Sequence, residues 1–152
     1  LPAVGVTVER NWGSSTPGES AGKTRLVVSA FDWEVTMSSS VILFGWNRSI
    51  PGRENVSAGH FGEFVTYLGG LQEKGAIQAF DTVFLDAHGG DLNGFFLIRG
   101  ESAKLDTLVS TTEWITHVMR ASLHLEGAGV IRGVTGDEIM ARMAIFTSAI
   151  PS

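Results

Sequence analysis

The sequence predicts one α+β domain in which an antiparallel sheet is covered by helices, and three observations carry that expectation. Short strands with large apolar residues on both parities recur, as in Val41-Ile-Leu-Phe-Gly-Trp46, Ile77-Gln-Ala-Phe-Asp-Thr-Val-Phe-Leu85 and Phe95-Phe-Leu-Ile98. Between them lie segments whose apolar residues return at three- and four-residue spacing. The 152 residues are enough for one domain with a sizeable core, and 43% hydrophobic against 18% charged residues is the balance of a folded chain. Because residues of both parities are apolar, both faces of the sheet need a cover. Helices of the chain serve one face, and the simplest cover for the other is the same sheet of a second copy, with Phe80, Phe84 and Phe96 expected on the shared surface.

Two readings of the first 39 residues stand side by side. Met37 reads as a natural start, with residues 1–36 an upstream extension, because the stretch from Asn11 to Gly22 is rich in turn and linker residues. Against this, Val27, Phe31, Trp33 and Val35 share one parity while Asp32 and Glu34 take the other, the alternation of a half-buried strand. We take residues 1–39 as an N-terminal extension peripheral to the fold and residues 40–150 as the domain.

Within the domain, Val41 to Asn47 forms a first strand closed by the turn Ser49-Ile-Pro-Gly52. A helix follows from Arg53 to Lys74, on the stripe Phe61, Phe64, Leu68 and Leu71, with Gly75 placed to end it in a left-handed conformation. Ile77–Asp86 and Leu92–Arg99 read as two strands joined by the glycine-containing linker from Ala87 to Asp91. A second helical region opens at Ser102 and is broken in two, since Ser110-Thr-Thr-Glu113 has the spacing of a capping box and carries Trp114, Ile115, Val118 and Met119 inward. Leu123–Val134 is expected as the last strand, and Thr135-Gly-Asp-Glu138 as a further capping box that opens a C-terminal helix on Ile139, Met143 and Phe146.

The order from Val41 to Val134 is therefore β-α-β-β-α-β, the ferredoxin-like arrangement. With two-faced strands it resembles the dimeric α/β-barrel superfamily, in which two such sheets pack face to face and whose members include cofactor-free monooxygenases, YCII-like proteins and stress-responsive barrel proteins. The resemblance covers the central and C-terminal parts. It implies a homodimer. No stretch matches a catalytic motif of any one of these families, so none of their functional residues is carried over, and Phe44-Gly-Trp-Asn-Arg48 and His88-Gly-Gly-Asp-Leu-Asn-Gly94 mark an uncharacterised subgroup.

Several classes are set aside by composition and motif. A net charge of −5 without a basic cluster argues against nucleic acid as a partner. No run of about 18 apolar residues suggests a membrane span, and the absence of cysteine removes disulfides and thiolate chemistry. The start lacks the pattern of a signal peptide, so a cytoplasmic location is expected. No phosphate loop, dinucleotide fingerprint, zincin helix or nucleophile elbow is present, and no cofactor or metal is expected.

In the β-α-β-β-α-β order the first strand pairs with the third and the last, so polar residues gather at one rim. Asn47 and Arg48 end strand one; His88, Asp91 and Asn93 belong to the hairpin; His124 and Glu126 begin the last strand. His88 with Asp91 is the expected catalytic pair, a near-neutral base beside a carboxylate, and Trp46, Asn47, Asn93, His124 and Glu126 are the expected ligand contacts. The plainer reading of Asp91 and its glycines is ordinary turn chemistry. His60, on the stripe with Phe64, Tyr67 and Leu71, reads as a hydrogen-bonded core residue. His117, with Asp106, Ser110 and Glu113, reads as solvated, and Arg99 and Arg132 as partners for acidic residues across a subunit interface. Three functions follow in order: a homodimer binding a small apolar or aromatic ligand between sheet and helices, a cofactor-free monooxygenase- or isomerase-like enzyme, and a non-catalytic assembly module.

Overall fold

The computed structural model describes residues 40–151; the expectations for the N-terminal extension lie outside them. Chain order is β1 (Ser40–Trp46), β2 (Arg48–Ser49), α1 (Glu54–Glu73), β3 (Ala79–Phe84), β4 (Gly94–Gly100), α2 (Ser102–Val109), α3 (Thr112–His124), β5 (Leu125–Glu126), β6 (Gly129–Val134) and α4 (Asp137–Ser148). The four long strands form an antiparallel sheet in the order β3-β4-β1-β6, and β2 pairs with β5 in a small second sheet. This is the ferredoxin-like fold, with β2, β5 and α4 added.

Register decides which residues share a face. Phe44 stands opposite Phe96, Ile42 opposite Ile98, and Trp46 opposite Gly94; Phe80 stands opposite Ile98. Side chains of this parity meet the stripe His60, Phe64 and Leu68 of α1, together with Leu105, Leu108, Trp114 and Ala121 of the second helical region. Ile42, Leu68, Ile98 and Leu105 have no solvent exposure. Phe80, Phe84 and Phe96 therefore lie on the helix-covered face, which corrects their expected place on a partner surface. The other parity presents Leu43, Val83, Phe95 and Leu97, all half-buried, and Ile131, which is exposed.

Several boundaries also differ from expectation. α3 runs on to His124, so the last long strand begins only at Gly129, and His124 and Glu126 do not start it. The cap of α3 is Thr111, whose hydroxyl accepts the Trp114 N–H, rather than Ser110. α4 starts after Gly136, with no side-chain cap, in place of the box proposed from Thr135. Gly75 does follow α1 in the left-handed region, at φ 71°. α4 buries none of its residues and leaves Ile139, Met140, Met143, Ile145 and Phe146 exposed. Among the described residues, no helix is long and apolar enough to cross a membrane.

Candidate functional site

The helix-covered face carries a half-open cavity of about 370 Å³ between the sheet, α1 and the end of α3. Its walls are aromatic because the register gathers aromatic positions from three strands and a helix. Trp46 and Phe96 approach to 5.3 Å between ring centroids, Phe61 and Phe96 to 5.4 Å, and Trp46 and Phe84 to 5.9 Å. Edge-to-face, tilted and stacked contacts of this kind hold the rings in defined orientations. Gly94 makes room for the indole: a Cβ there would fall 2.5 Å from Trp46 Cζ2.

One end of the cavity is polar. Ser49, Glu54, Ser57, His60 and His124 line it. Ser57 and His60 lie three residues apart on α1 and so face the same way. On α3, Trp114, His117, Ala121 and His124 form one buried stripe, and His117 and His124 are separated by about 10.5 Å along the axis. The His60 ring from α1 enters the gap and bridges them. Its Nδ1 lies 2.7 Å from His124 Nε2, and its Nε2 lies 3.0 Å from His117 Nδ1. Ser57 Oγ lies 2.9 Å from His124 Nδ1 and 3.4 Å from the His124 carbonyl oxygen. His117 also stacks on Tyr67, with ring centroids 4.6 Å apart.

All three histidines are buried, at 3 to 9% exposure. Burial pushes the His60 pKa down to about 4, helped by Arg120 and the two neighbouring imidazoles and opposed by Glu63. His117 and His124 are lowered by burial first and by Arg120 second; Arg53 also lowers His124, whereas Glu113 and Glu63 oppose the shift of His117. The rings are held neutral at neutral pH. They bond ring to ring in series and do not converge on a common point, and among the described residues no group of three His, Asp or Glu side chains could hold a metal.

The rim residues come together as scaffolding. Asn93 Nδ2 donates to Asn47 Oδ1 at 2.7 Å, and the Asn93 N–H donates to the Trp46 carbonyl at 2.9 Å. Arg48 pairs with Glu126 at 2.6 Å, and the Asn47 N–H donates to the Glu126 carbonyl. The Ile50 N–H donates to the His124 carbonyl, so this rim pins the end of α3 against the start of α1 and holds His124 over Ser57. Of the seven residues singled out in the sequence, Trp46 and His124 line the cavity, whereas Asn47, Asn93 and Glu126 brace its rim. His88 and Asp91 are exposed on the loop between β3 and β4; the His88 ring hydrogen-bonds the nearby Asp86 carbonyl and lies against Gly90, and neither residue lines the cavity. His117 is buried, not solvated. Arg99 pairs with Asp81 and Arg132 with Asp106, both within the chain and not across an interface as expected.

Sequence reasoning missed the histidine chain because it ended α3 too early. With His124 assigned to a strand, His117 had no histidine on its stripe and read as a surface residue. The signal was the spacing Trp114, His117, Ala121, His124, which falls on one side of a helix extended by a turn.

The fold and site define a ferredoxin-like α+β protein with an aromatic cavity ending in a histidine chain. No family model matches the chain, and no curated protein matches it. Among solved structures, a dimeric protein of unknown function and ferredoxin-like fold from Bacteroides fragilis is similar at 10% identity, over 66% of this chain and 100% of that one, with a TM-score of 0.47. PA3566 from Pseudomonas aeruginosa is similar at 14% identity, over 66% of this chain and 98% of that one, with a TM-score of 0.46. Likenesses of this size assign no activity or ligand.

Proposed function

We propose that this protein is a homodimer that binds a small aromatic molecule carrying one polar group in the cavity between sheet and helices. The observation that carries the reading is the cavity's two-ended chemistry. Trp46, Phe61, Phe84 and Phe96 form an apolar wall for a ring, and the Ser57 hydroxyl, hydrogen-bonded to His124, stands at the far end for a hydroxyl or carbonyl. Mainly apolar lining with few convergent polar groups is the usual composition of a small-molecule site. About 150 Å³ suffices for benzene, so about 370 Å³ takes one substituted ring or two.

The homodimer rests on the second face of the sheet. Leu43, Val83, Phe95, Leu97 and Ile131 share it, and α4 adds Met140, Ile145 and Phe146 as further exposed apolar surface. Exposed apolar surface of this kind marks interaction sites. In this reading Trp46, Ser57 and His124 contact the ligand, and Asn47, Asn93 and Glu126 keep the rim in place.

Titration of the protein with 4-methylphenol, followed by the NMR signals of the tryptophan indole N–H groups, tests the ligand reading. Saturable movement of the Trp46 signal, lost in Phe96→Trp, supports it; no saturable movement with 4-methylphenol, indole or toluene overturns it. Light scattering on the eluting protein tests the dimer, and a monomer mass overturns that part.

A further inference from the structure

The histidine chain has two ends, and they open on different spaces. Ser57, His60 and His124 line the aromatic cavity. His117 instead lines a separate groove of about 610 Å³ on the outer side of α1 and α3, together with Glu63, Tyr67, Glu113 and Arg120. Ser57 Oγ, His124, His60 and His117 therefore run in series from one space to the other, through gaps of 2.9, 2.7 and 3.0 Å.

A neutral imidazole has one N–H and one lone pair, which leaves only two arrangements that satisfy every ring-to-ring bond. In the outward arrangement Ser57 O–H donates to His124 Nδ1, His124 Nε2–H to His60 Nδ1, and His60 Nε2–H to His117 Nδ1, leaving His117 Nε2–H toward the groove. In the inward arrangement each of these donors becomes an acceptor, and the Ser57 hydroxyl turns to another acceptor such as the His124 carbonyl oxygen. A shift of one proton per bond converts one arrangement into the other. It moves a proton from cavity to groove without leaving a charge on a buried ring.

We propose that Ser57, His124, His60 and His117 are a proton relay between the cavity and the outer groove, and that the relay serves keto–enol tautomerisation of small aromatic enols bound in the cavity. The proposal rests on the ligand reading above. In the outward stroke the enol O–H bond breaks and its proton goes to Ser57 Oγ. The Ser57 proton moves to His124 Nδ1, the His124 Nε2 proton to His60 Nδ1, the His60 Nε2 proton to His117 Nδ1, and the His117 Nε2 proton to water in the groove. The electron pair left on the substrate oxygen delocalises as an enolate. In the inward stroke the Ser57 hydroxyl gives its proton to the enolate carbon, the carbon–carbon π pair forms the new C–H bond, and the oxygen pair becomes the carbonyl π bond. His124 Nδ1–H refills Ser57, His60 and His117 follow in turn, and His117 Nε2 takes a proton back from groove water. Enol has become ketone, and the relay has returned to its first arrangement. Burial and the charges of Arg53 and Arg120 favour the neutral rings on which both strokes depend. Ser57 is the catalytic residue, and the histidines act through it.

The test uses the full chain with the enol of phenylpyruvate as probe, ketonisation being followed by loss of the enol absorbance and binding by the Trp46 indole signal. Wild-type protein is expected to accelerate ketonisation. His117→Gln retains a hydrogen-bonding group beside His60 but cannot pass a proton on, and is expected to lower the rate about 100-fold, the scale of a lost acid–base group, with probe binding unchanged. His117→Ala is expected to be equally slow and to regain at least severalfold in rate on addition of free imidazole, which a purely structural role for His117 would not produce. Probe binding without acceleration by wild-type protein, or a His117→Gln variant as fast as wild type, overturns the relay and leaves the ligand reading standing. Absence of saturable binding of this enol, which carries a carboxylate besides its hydroxyl, overturns the relay; the ligand reading falls only if 4-methylphenol, indole and toluene also fail to bind.

Discussion

Acidification below neutral pH should destabilise this protein before its carboxylates titrate, because its buried histidines resist protonation. In the unfolded chain His60 charges as the pH falls through its ordinary value of 6.5, whereas in the fold it charges only at about 4. Between those values the unfolded state binds more protons, so the stability present above 6.5 is lost as the pH falls toward the folded value. For one such group, integration between about pH 7.5 and about pH 5 gives a loss of about 2 kcal/mol. Solvent screening at the open end of the chain reduces this to between about 1 and 2 kcal/mol. The groups facing His60 are Arg120, His117 and His124 from α3 and Glu63 from its own helix. His117 and His124 are lowered as well and add loss in the same direction. Glu54 and Glu63 are held below the ordinary 4.5 by their hydrogen bonds and contribute only at lower pH. Urea unfolding at a fixed protein concentration over this range measures the slope. A stability that stays flat or rises on acidification to about pH 5 would refute the buried neutral chain.

Other consequences of the geometry are open to direct measurement. Gly94→Ala places a methyl group 2.5 Å from the Trp46 indole; we expect a loss of about 1 to 3 kcal/mol in chemical denaturation and weaker 4-methylphenol binding as the ring is displaced. Ile98→Ala, at a position with no exposure, should cost about 2 to 5 kcal/mol in the same assay, and a loss below about 1 kcal/mol would mean that the sheet–helix core is not packed as described. Thr111→Ala removes the hydroxyl that accepts the Trp114 N–H and should lower the thermal midpoint by an amount equivalent to about 1 kcal/mol. Ile131→Asp puts a carboxylate on the sheet face opposite the helices, where Ile131 is 63% exposed; light scattering should then report a monomer with its core intact, and an unchanged dimer would move the interface elsewhere.

The order of the four long strands and the two helical regions, the hairpin pairing of β3 with β4 and the break between α2 and α3 are legible in the sequence, whereas the short strands β2 and β5 are not. Period-two and period-3.6 patterns and turn residues are local signals, and local signals place strands and helices. Trp46 was marked as a ring-sized wall on the same basis, from its position at the end of a strand. His60 was placed toward the sheet by its stripe with Phe64, although its partners were not foreseen.

Tertiary structure alone decided where the chemistry gathers. Strand register set Trp46 over Gly94 and Phe44 opposite Phe96, and a shift of one residue would have sent all four to the other face. One further turn of α3 turned His124 from a strand residue into the partner of Ser57. The packing of α1 on α3 then inserted His60 between His117 and His124, which are neighbours on a helical stripe but too far apart to touch one another. No pattern within either helix specifies that insertion, because it depends on how two helices lie across one sheet. What the chain alone determined was a two-faced sheet with helices; what the fold added was a continuous hydrogen-bonded path from an aromatic cavity to an outer groove.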